Sequence, residues 1–239
     1  MIDTHSHLLP NIDDGVRSFG ESVEIISGMH EVGVTELIIT PHYVPESKWT
    51  STRHNNLLLI ESLQRHLDKA GVNVKVYLGN ELYINPDIEE YLKKQTTSSM
   101  ADSKYVLVEL PMSGEFEGYE DILLMLKRDG YKPILAHPER YQTSAKSIDH
   151  LRELANMGIL FQCNLGSIVN QYGSKARRAL KRLAKEKLIW CFGTDIHHRR
   201  DYAEITKAQK KLAKYYTAEE LDELLVKNPR KIIRSAIHK

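Results

Sequence analysis

Seven times along this chain a short β-branched run gives way to a longer stretch with helical periodicity, and that alternation limits the fold more than any other feature. The runs lie at 2–5, 35–40, 74–78, 104–110, 133–136, 159–163 and 188–192. Strands separated by helices pair in parallel through crossover connections. An open doubly wound sheet and an α/β barrel both satisfy that pattern. The polar residues favour the barrel: His5, His7, His42, Glu81, Glu109, His137, Asp195 and His197 all fall at or just beyond the C-terminal end of a run. In a β/α barrel those ends converge on one face, which carries the active site. An open sheet would string them along a line. The expectation is a single TIM-like α/β domain over residues 1–239.

The helical stretches carry their own boundary signals. One spans Phe19 to Val32, with Ser18 as N-cap, Glu21 completing a capping box, and Gly33 after its end. Others run to Asp68, from Pro86 to Lys94, over Tyr119–Arg128, Ser147–Met157, Ser174–Glu186 and Asp201–Tyr216, with an amphipathic tail begun by Pro229.

Composition excludes several classes of function. Lys+Arg total 33 against 32 Asp+Glu, so there is no basic field of the kind that binds nucleic acid. No apolar run approaches the roughly 20 residues of a membrane span. The N-terminus has no basic segment followed by an apolar one, so no secretory signal is expected. Cys163 and Cys191 lie in apolar runs, and a cytoplasmic chain with reduced thiols is the expectation. Neither cysteine is followed by an arginine at the spacing of a cysteine phosphatase, and there is no phosphate-cradling GxxxxGK[ST] loop or Gly-x-Ser-x-Gly elbow.

What remains is histidine and carboxylate. His5 and His7, two apart in an extended run, face the same way, as two ligands of one ion must. Asp195-Ile-His197 repeats that logic. Such donors suit Zn, Mn or Fe ions without selecting sharply among them. Asp3 is a candidate partner that orients a ligating histidine. Asp13 and Asp14 precede Gly15 and read as a turn, or one of them reaches back to a metal. His30, His54, His66, His150, His198 and His238 lie in helices or loops and read as structural. Arg140 either binds an anion at the metals or makes a surface ion pair. Arg199 and Arg200 are weaker candidates of the same kind. The loop 43–51, with Lys48 and Trp49, either grips an aromatic substrate at the barrel mouth or is a long exposed connection.

In this order the motifs His5-Ser-His7, Pro41-His42, Glu81, His137-Pro-Glu-Arg140 and Asp195-Ile-His197 resemble those of the PHP (polymerase and histidinol phosphatase) superfamily. The pieces Ile2-Asp-Thr-His-Ser-His-Leu-Leu-Pro, Asp13-Asp-Gly, Thr40-Pro-His, Ala136-His-Pro-Glu-Arg and Thr194-Asp-Ile-His are similar to its bacterial capsule and exopolysaccharide branch, the manganese-dependent protein-tyrosine phosphatases. The resemblance covers essentially the whole chain. It implies a distorted seven-stranded (β/α)7 barrel, the PHP fold, with three divalent metal ions, Mn foremost and Fe or Zn as alternatives.

By the same resemblance His5, His7, Glu81 and Asp195 would hold one ion. Glu81, as a bridge, would hold a second with Glu109 and His137, and Asp14, His42 and His197 would hold a third. Arg140 would bind substrate phosphate, and Arg200 or Arg199 would supply a further phosphate contact, here at an unusually short spacing after His197. The implied reaction is hydrolysis of phosphotyrosine by a metal-activated water. The implied partner is a membrane-associated bacterial tyrosine kinase controlling capsule or exopolysaccharide synthesis. A small-metabolite phosphatase of histidinol-phosphate type is the alternative on the same ligands. A non-catalytic barrel in a polysaccharide assembly complex is the more distant one.

Overall fold

The computed structural model describes residues 1–114, 116–141 and 147–235, with 199–201 described by backbone only. Its strands are β1 (Ile2–Asp3), β2 (Glu36–Ile39), β3 (His42–Tyr43), β4 (Lys75–Leu78), β5 (Glu81–Tyr83), β6 (Tyr105–Glu109), β7 (Lys132–Ala136), β8 (Leu160–Asn164) and β9 (Cys191–Gly193). The helices are α1 (Phe19–Glu31), α2 (Arg53–Lys69), α3 (Ile88–Lys93), α4 (Tyr119–Arg128), α5 (Ile148–Asn156), α6 (Leu165–Ile168), α7 (Gly173–Lys185), α8 (Ile205–Leu212), α9 (Ala218–Asp222) and α10 (Asn228–Arg234). Every strand pairing is parallel.

All seven expected runs form strands, but the strands make two sheets, β1-β2-β4 and β3-β5-β6-β7-β8-β9, rather than one. Two runs break and resume. Run 35–40 stops at Thr40-Pro41 and continues as β3, and run 74–78 stops at Gly79-Asn80 and continues as β5. Pro41 has no N–H for the ladder. Gly79 lies so close to β2 that a Cβ there would come within 3.2 Å of Ile38 Cγ2 and Thr40 Cγ2. Each break lets the strand change neighbours, so the parallel surface curls.

Backbone contacts also link the last strand to the first. Asp195 N–H donates to His5 O at 2.8 Å, His7 N–H to Ile196 O at 2.9 Å, and Thr40 N–H to Ser6 O at 2.9 Å. Segment 5–7 therefore lies between the ends of β2 and β9.

Both faces of the sheet are buried, as parallel sheets require, and the period of two sorts their residues. Val106, Val108 and Leu135 pack with helix residues such as Leu123, Leu126, Leu151 and Leu180. Tyr105, Leu107, Ile134 and Ala136 face inward and meet Ile38, Met100 and Ile232 of α10 in a small inner cluster. Glu109 continues the inward parity of Tyr105 and Leu107. The interior is therefore apolar at its lower end and polar where the strands finish.

Local signals act as expected with one difference. Ser18 Oγ accepts from Glu21 N–H at 3.2 Å, but the Glu21 carboxylate accepts from Arg17 N–H at 2.9 Å, so the reciprocal half of the capping box is displaced by one residue. The Asp201–Tyr216 stretch begins as a 3-10 turn over Arg199–Glu204 before α8. Among the described residues no helix is long and apolar enough to cross a membrane.

Candidate metal centre

The strand ends deliver nine side chains to one place: His5, His7, Asp14, His42, Glu81, Glu109, His137, Asp195 and His197. They form four overlapping groups whose donor atoms lie within 4.8 Å of one another: His7, Asp14, His42, His197; His5, His7, Glu81; His5, His137, Asp195; and His42, Glu81, Glu109. His5, His7, Glu81, His137 and Asp195 are buried, whereas His42 and His197 are partly covered and Asp14 is exposed.

Hydrogen bonds at the outer edge of the rings set which nitrogens face inward. His7 Nδ1–H donates to Asp13 Oδ2 at 2.7 Å and His5 Nδ1–H to Gln162 Oε1 at 2.9 Å, since those oxygens can only accept. Both Nε2 lone pairs are then turned inward, 3.2 Å apart. Glu81 Oε2 stands 3.2 Å from His5 Nε2, 3.4 Å from His7 Nε2 and 3.0 Å from His42 Nδ1. Asp195 Oδ1 lies 3.3 Å from His7 Nε2 and 3.5 Å from His5 Nε2. On the other side Glu81 Oε1 meets His137 Nε2 at 2.7 Å, and Glu109 Oε1 lies 3.7 Å from that nitrogen. Asp14 Oδ1 lies 3.3 Å from His197 Nε2 and 3.6 Å from His42 Nε2.

Two of these contacting atoms, Glu81 Oε2 and His42 Nδ1, are buried and 3.0 Å apart but not aligned for a hydrogen bond, and His137 Nδ1 is buried without a partner. A buried polar atom without a partner is costly. Glu81 Oε2 and His42 Nδ1 belong to a set of donor atoms that converge on common points, where a divalent cation would supply what they lack. The donor set fits a metal centre.

Electrostatics agree. Burial alone would raise the pKa of Glu81, yet His5, His42 and His137 hold it well below the usual carboxylate range. Asp195 is likewise held low against burial by His5, His7 and His137. Asp14 is lowered to about 2 by its contact with His197 despite partial burial. Glu109 goes the other way: burial and the neighbouring charge of Glu81 push it up to about 8. For His5 and His7 burial disfavours the charged form, but Glu81 and Asp195 around the first and Asp13 beside the second raise both.

The backbone is strained where two of these residues sit. His137 has φ 32° and Asp195 φ 54°, a left-handed conformation that disfavours residues bearing a Cβ by about 1–3 kcal/mol. Asp195 therefore does not share an extended face with His197 as the Asp-x-His spacing suggests. The two reach the cluster from either side of Ile196, which is buried and bridged to Ser6.

Several residues differ from their sequence reading. Asp3 does not orient a histidine ring: it accepts from Thr194 N–H at 2.8 Å, Thr194 Oγ1–H at 2.6 Å and His5 N–H at 3.4 Å, and so ties β1 to the end of β9. Asp13 and Asp14 divide their tasks. Asp13 holds the His7 ring and accepts from the backbone N–H of Gly15 and His42, while Asp14 faces the metal groups. Arg140 pairs with Asp195 Oδ2 at 2.5 Å and lies 4.3 Å from the centre of the Tyr172 ring, at the edge of a cleft of about 690 Å³ that also reaches Asp14, His197 and Lys207. The side chains of Arg199 and Arg200 lie outside the described residues.

Gln162, Asn164 and Tyr172 were missed. Asn164 Nδ2 donates to Asp195 Oδ2 at 2.8 Å, and the Tyr172 hydroxyl lies 3.4 Å from the same oxygen. The signal for the first two was present: Gln162 and Asn164 alternate in a run otherwise apolar, which puts two amides on a buried face.

Comparison with known proteins agrees with this geometry. Residues 1–234 match the family described as capsular polysaccharide synthesis, CpsB/CapC. The tyrosine-protein phosphatase CpsB of Streptococcus pneumoniae is 30% identical over 251 residues, covering 98% of each chain. The tyrosine-protein phosphatase YwqE of Bacillus subtilis is 29% identical over 201 residues, 83% of this chain and 78% of its own. Among solved structures, one of the YwqE and CpsB pair, described as unique metal-dependent tyrosine phosphatases, superposes with a TM-score of 0.92 at 27% identity over 100% of this chain and 96% of its own. An amidohydrolase from Mycoplasma synoviae shares the fold alone, with a TM-score of 0.65 at 12% identity over 98% of this chain and 87% of its own. With its motifs in order over nearly the whole chain, the protein belongs to the CpsB/CapC family of capsular polysaccharide synthesis.

Proposed function

We propose that this protein is a metal-dependent protein-tyrosine phosphatase. The carrying observation is the convergence of histidine nitrogens and carboxylates around Glu81 Oε2 and His42 Nδ1, two buried atoms 3.0 Å apart that are not aligned for a hydrogen bond. The reading assigns three divalent ions, manganese before iron or zinc. His5, His7, Glu81 and Asp195 hold the first. Glu81, Glu109 and His137 hold the second, and Asp14, His42 and His197 the third, with His7 close enough to serve that group as well. The family resemblance and the overlap of these sets with the observed groups support it. Two sheets linked at Ser6 and Ile196 support counting the fold as a distorted seven-stranded barrel within a single domain of residues 1–239.

Bound there, the ions would supply neutralisation of phosphate charge and a lowered pKa for a water, the chemistry that hydrolysis of a phosphate ester needs. The protein's own groups do the rest. Asp13 and Gln162 fix the tautomers of His7 and His5. Asn164 and Tyr172 hold Asp195 Oδ2, leaving Oδ1 turned toward His5 and His7. The Arg140 guanidinium, at the cleft edge, exchanges its contact with Asp195 for the phosphate and stabilises charge on the equatorial oxygens. Arg200 or Arg199 is a second phosphate contact on the family pattern. The substrate is a phosphotyrosine protein, a membrane-associated bacterial tyrosine kinase governing capsule or exopolysaccharide synthesis, met in the cytoplasm.

The test is a paired assay of phosphotyrosyl peptide and histidinol phosphate with the manganese-loaded protein. The expected result is faster turnover of the peptide. Faster turnover of the metabolite would transfer the site to the small-molecule reading, and turnover of neither would leave a binding protein.

A further inference from the structure

The wall of the metal centre does not end at its ligands. The Trp49 indole lies against the outer face of His42, ring centres 5.1 Å apart and planes 14° from parallel. His42 directs Nδ1 to Glu81 and Nε2 toward Asp14, so its edge serves the cluster and its flat face is what Trp49 covers. The indole is half-buried and therefore still presents surface at the mouth.

The loop carrying it is built rather than slack. Val44 N–H donates to Trp49 O at 2.8 Å, and Ser47 Oγ–H donates to Val44 O at 2.8 Å while accepting from Trp49 N–H at 2.9 Å. These bonds close the turn without help from the indole. The placement of Trp49 over His42 is thus not needed to hold the loop. The Lys48 ammonium stands 5.5 Å from the indole centre and adds positive charge on the same rim. Across the centre, Arg140 lies over the Tyr172 ring at the edge of the cleft beside Asp195.

We infer that Trp49 is the specificity-determining platform for the aryl group of the substrate, an inference that rests on the phosphatase reading above. A phosphate held at the cluster and by Arg140 would direct its ester group out of the buried centre, toward the mouth. The next group outward is a flat ring in a phosphotyrosine and a methylene in an alkyl phosphate. An indole at that depth stacks on the ring and gains little from the methylene. The Arg140 cation serves the phosphate of either substrate, so the preference for an aryl ester is carried by the indole.

The test uses the full-length, manganese-loaded protein with Trp49→Ala and Trp49→Phe, assayed on phosphotyrosyl and phosphoseryl versions of one peptide. Metal content is measured in each variant. Trp49→Ala is expected to raise KM for the phosphotyrosyl peptide about tenfold, leave the phosphoseryl rate and the metal content unchanged, and be rescued largely by Phe. A second readout is independent of turnover: phenylphosphonate should change the emission of Trp49 in the wild type, methylphosphonate should not, and Trp49→Phe should lose the response. Equal loss on both peptides, or loss of metal, would make Trp49 a prop for His42 and overturn the inference. So would a phenylphosphonate response that survives in Trp49→Phe, or an aryl preference that survives in Trp49→Ala. If the wild type cleaves neither peptide, it is the phosphatase reading that fails.

Discussion

The Nδ1–H of His7 donates to Asp13 Oδ2 at 2.7 Å, and that same carboxylate oxygen accepts from the backbone N–H of His42 at 3.1 Å. One side chain thus sets the tautomer of one ring and the position of another. Asp13→Ala should lower manganese affinity about 10- to 100-fold while the protein stays folded, the usual cost of losing a carboxylate behind a ligating histidine. Calorimetric titration of the metal-free variant measures it, and unchanged affinity would remove Asp13 from that role.

Gly193 ends β9 beneath the site. A Cβ there would come within 2.6 Å of His5 Cβ and 2.7 Å of Gln162 Nε2, both on fully buried side chains. Gly193→Ala should therefore cost about 1–3 kcal/mol by overpacking. That corresponds to a fall in Tm of roughly 2–4 °C per kcal/mol for a chain of this size. Because His5 must yield, metal retention should fall with it. A variant as stable and as well loaded as the wild type would contradict the packing.

The pH dependence of metal uptake follows from the same cluster. Without a cation, burial and the charge of Glu81 push Glu109 from its ordinary 4.5 to about 8. Its contribution to the metal-free fold is full below that ordinary value and is lost as pH rises through about 8. His5, His7 and His42 are also raised, by neighbouring carboxylates that outweigh burial. All must be unprotonated to ligate, so loading releases protons. Apparent affinity should rise with pH from 6 to 8 by about tenfold per unit for each proton released, then level off. The gain in Tm on adding manganese should widen over the same interval. A gain that shrinks as pH rises would reverse the sign.

Arg140→Ala should lower kcat/KM on aryl phosphate by about 10²- to 10³-fold, the scale of losing one transition-state charge contact. Arg140→Lys should recover only part, because an ammonium cannot reproduce the guanidinium fork. A lysine variant with full activity would leave Arg140 as a structural partner of Asp195.

Thiol chemistry should be silent. Cys163 and Cys191 have no exposed surface, and burial pushes the Cys191 thiol up to about 12 and Cys163 well above its usual value. Iodoacetamide should leave activity intact where a strong chelator abolishes it. The opposite pattern, measured on the native protein, would place the chemistry on sulfur.

Much of this was legible in the sequence because the determinants are local. The seven runs, the helix starts and the polar strand ends all follow from periodicity and residue type. Ser18 over Glu21 N–H is one such case. What escaped depends on contacts across the chain. Whether Asp13 or Asp14 faces the metals is set by how turn 10–15 folds back on His7. The division into two sheets turns on Pro41 and on the tight approach of Gly79 to Ile38. The left-handed backbone at His137 and Asp195 has only a weak local signature, since histidine and aspartate enter that region more often than most residues but far less often than glycine. Gln162 was readable in principle, but its partner, 157 residues away, was not.

The linkage of the last strand to the first has a consequence for how the molecule is made. Asp195 and His197 leave the ribosome nearly two hundred residues after His5 and His7. The backbone bonds from Asp195 to His5 and from His7 to Ile196 complete the centre only after the long stretch between them has been translated. Contacts so distant in sequence are slow to form. An ion held by both segments, as the proposed assignment has it, would act as a cross-link over that span. By chain entropy such a closure is worth about 5 kcal/mol, so the metal that serves chemistry would also work as the molecule's fastening.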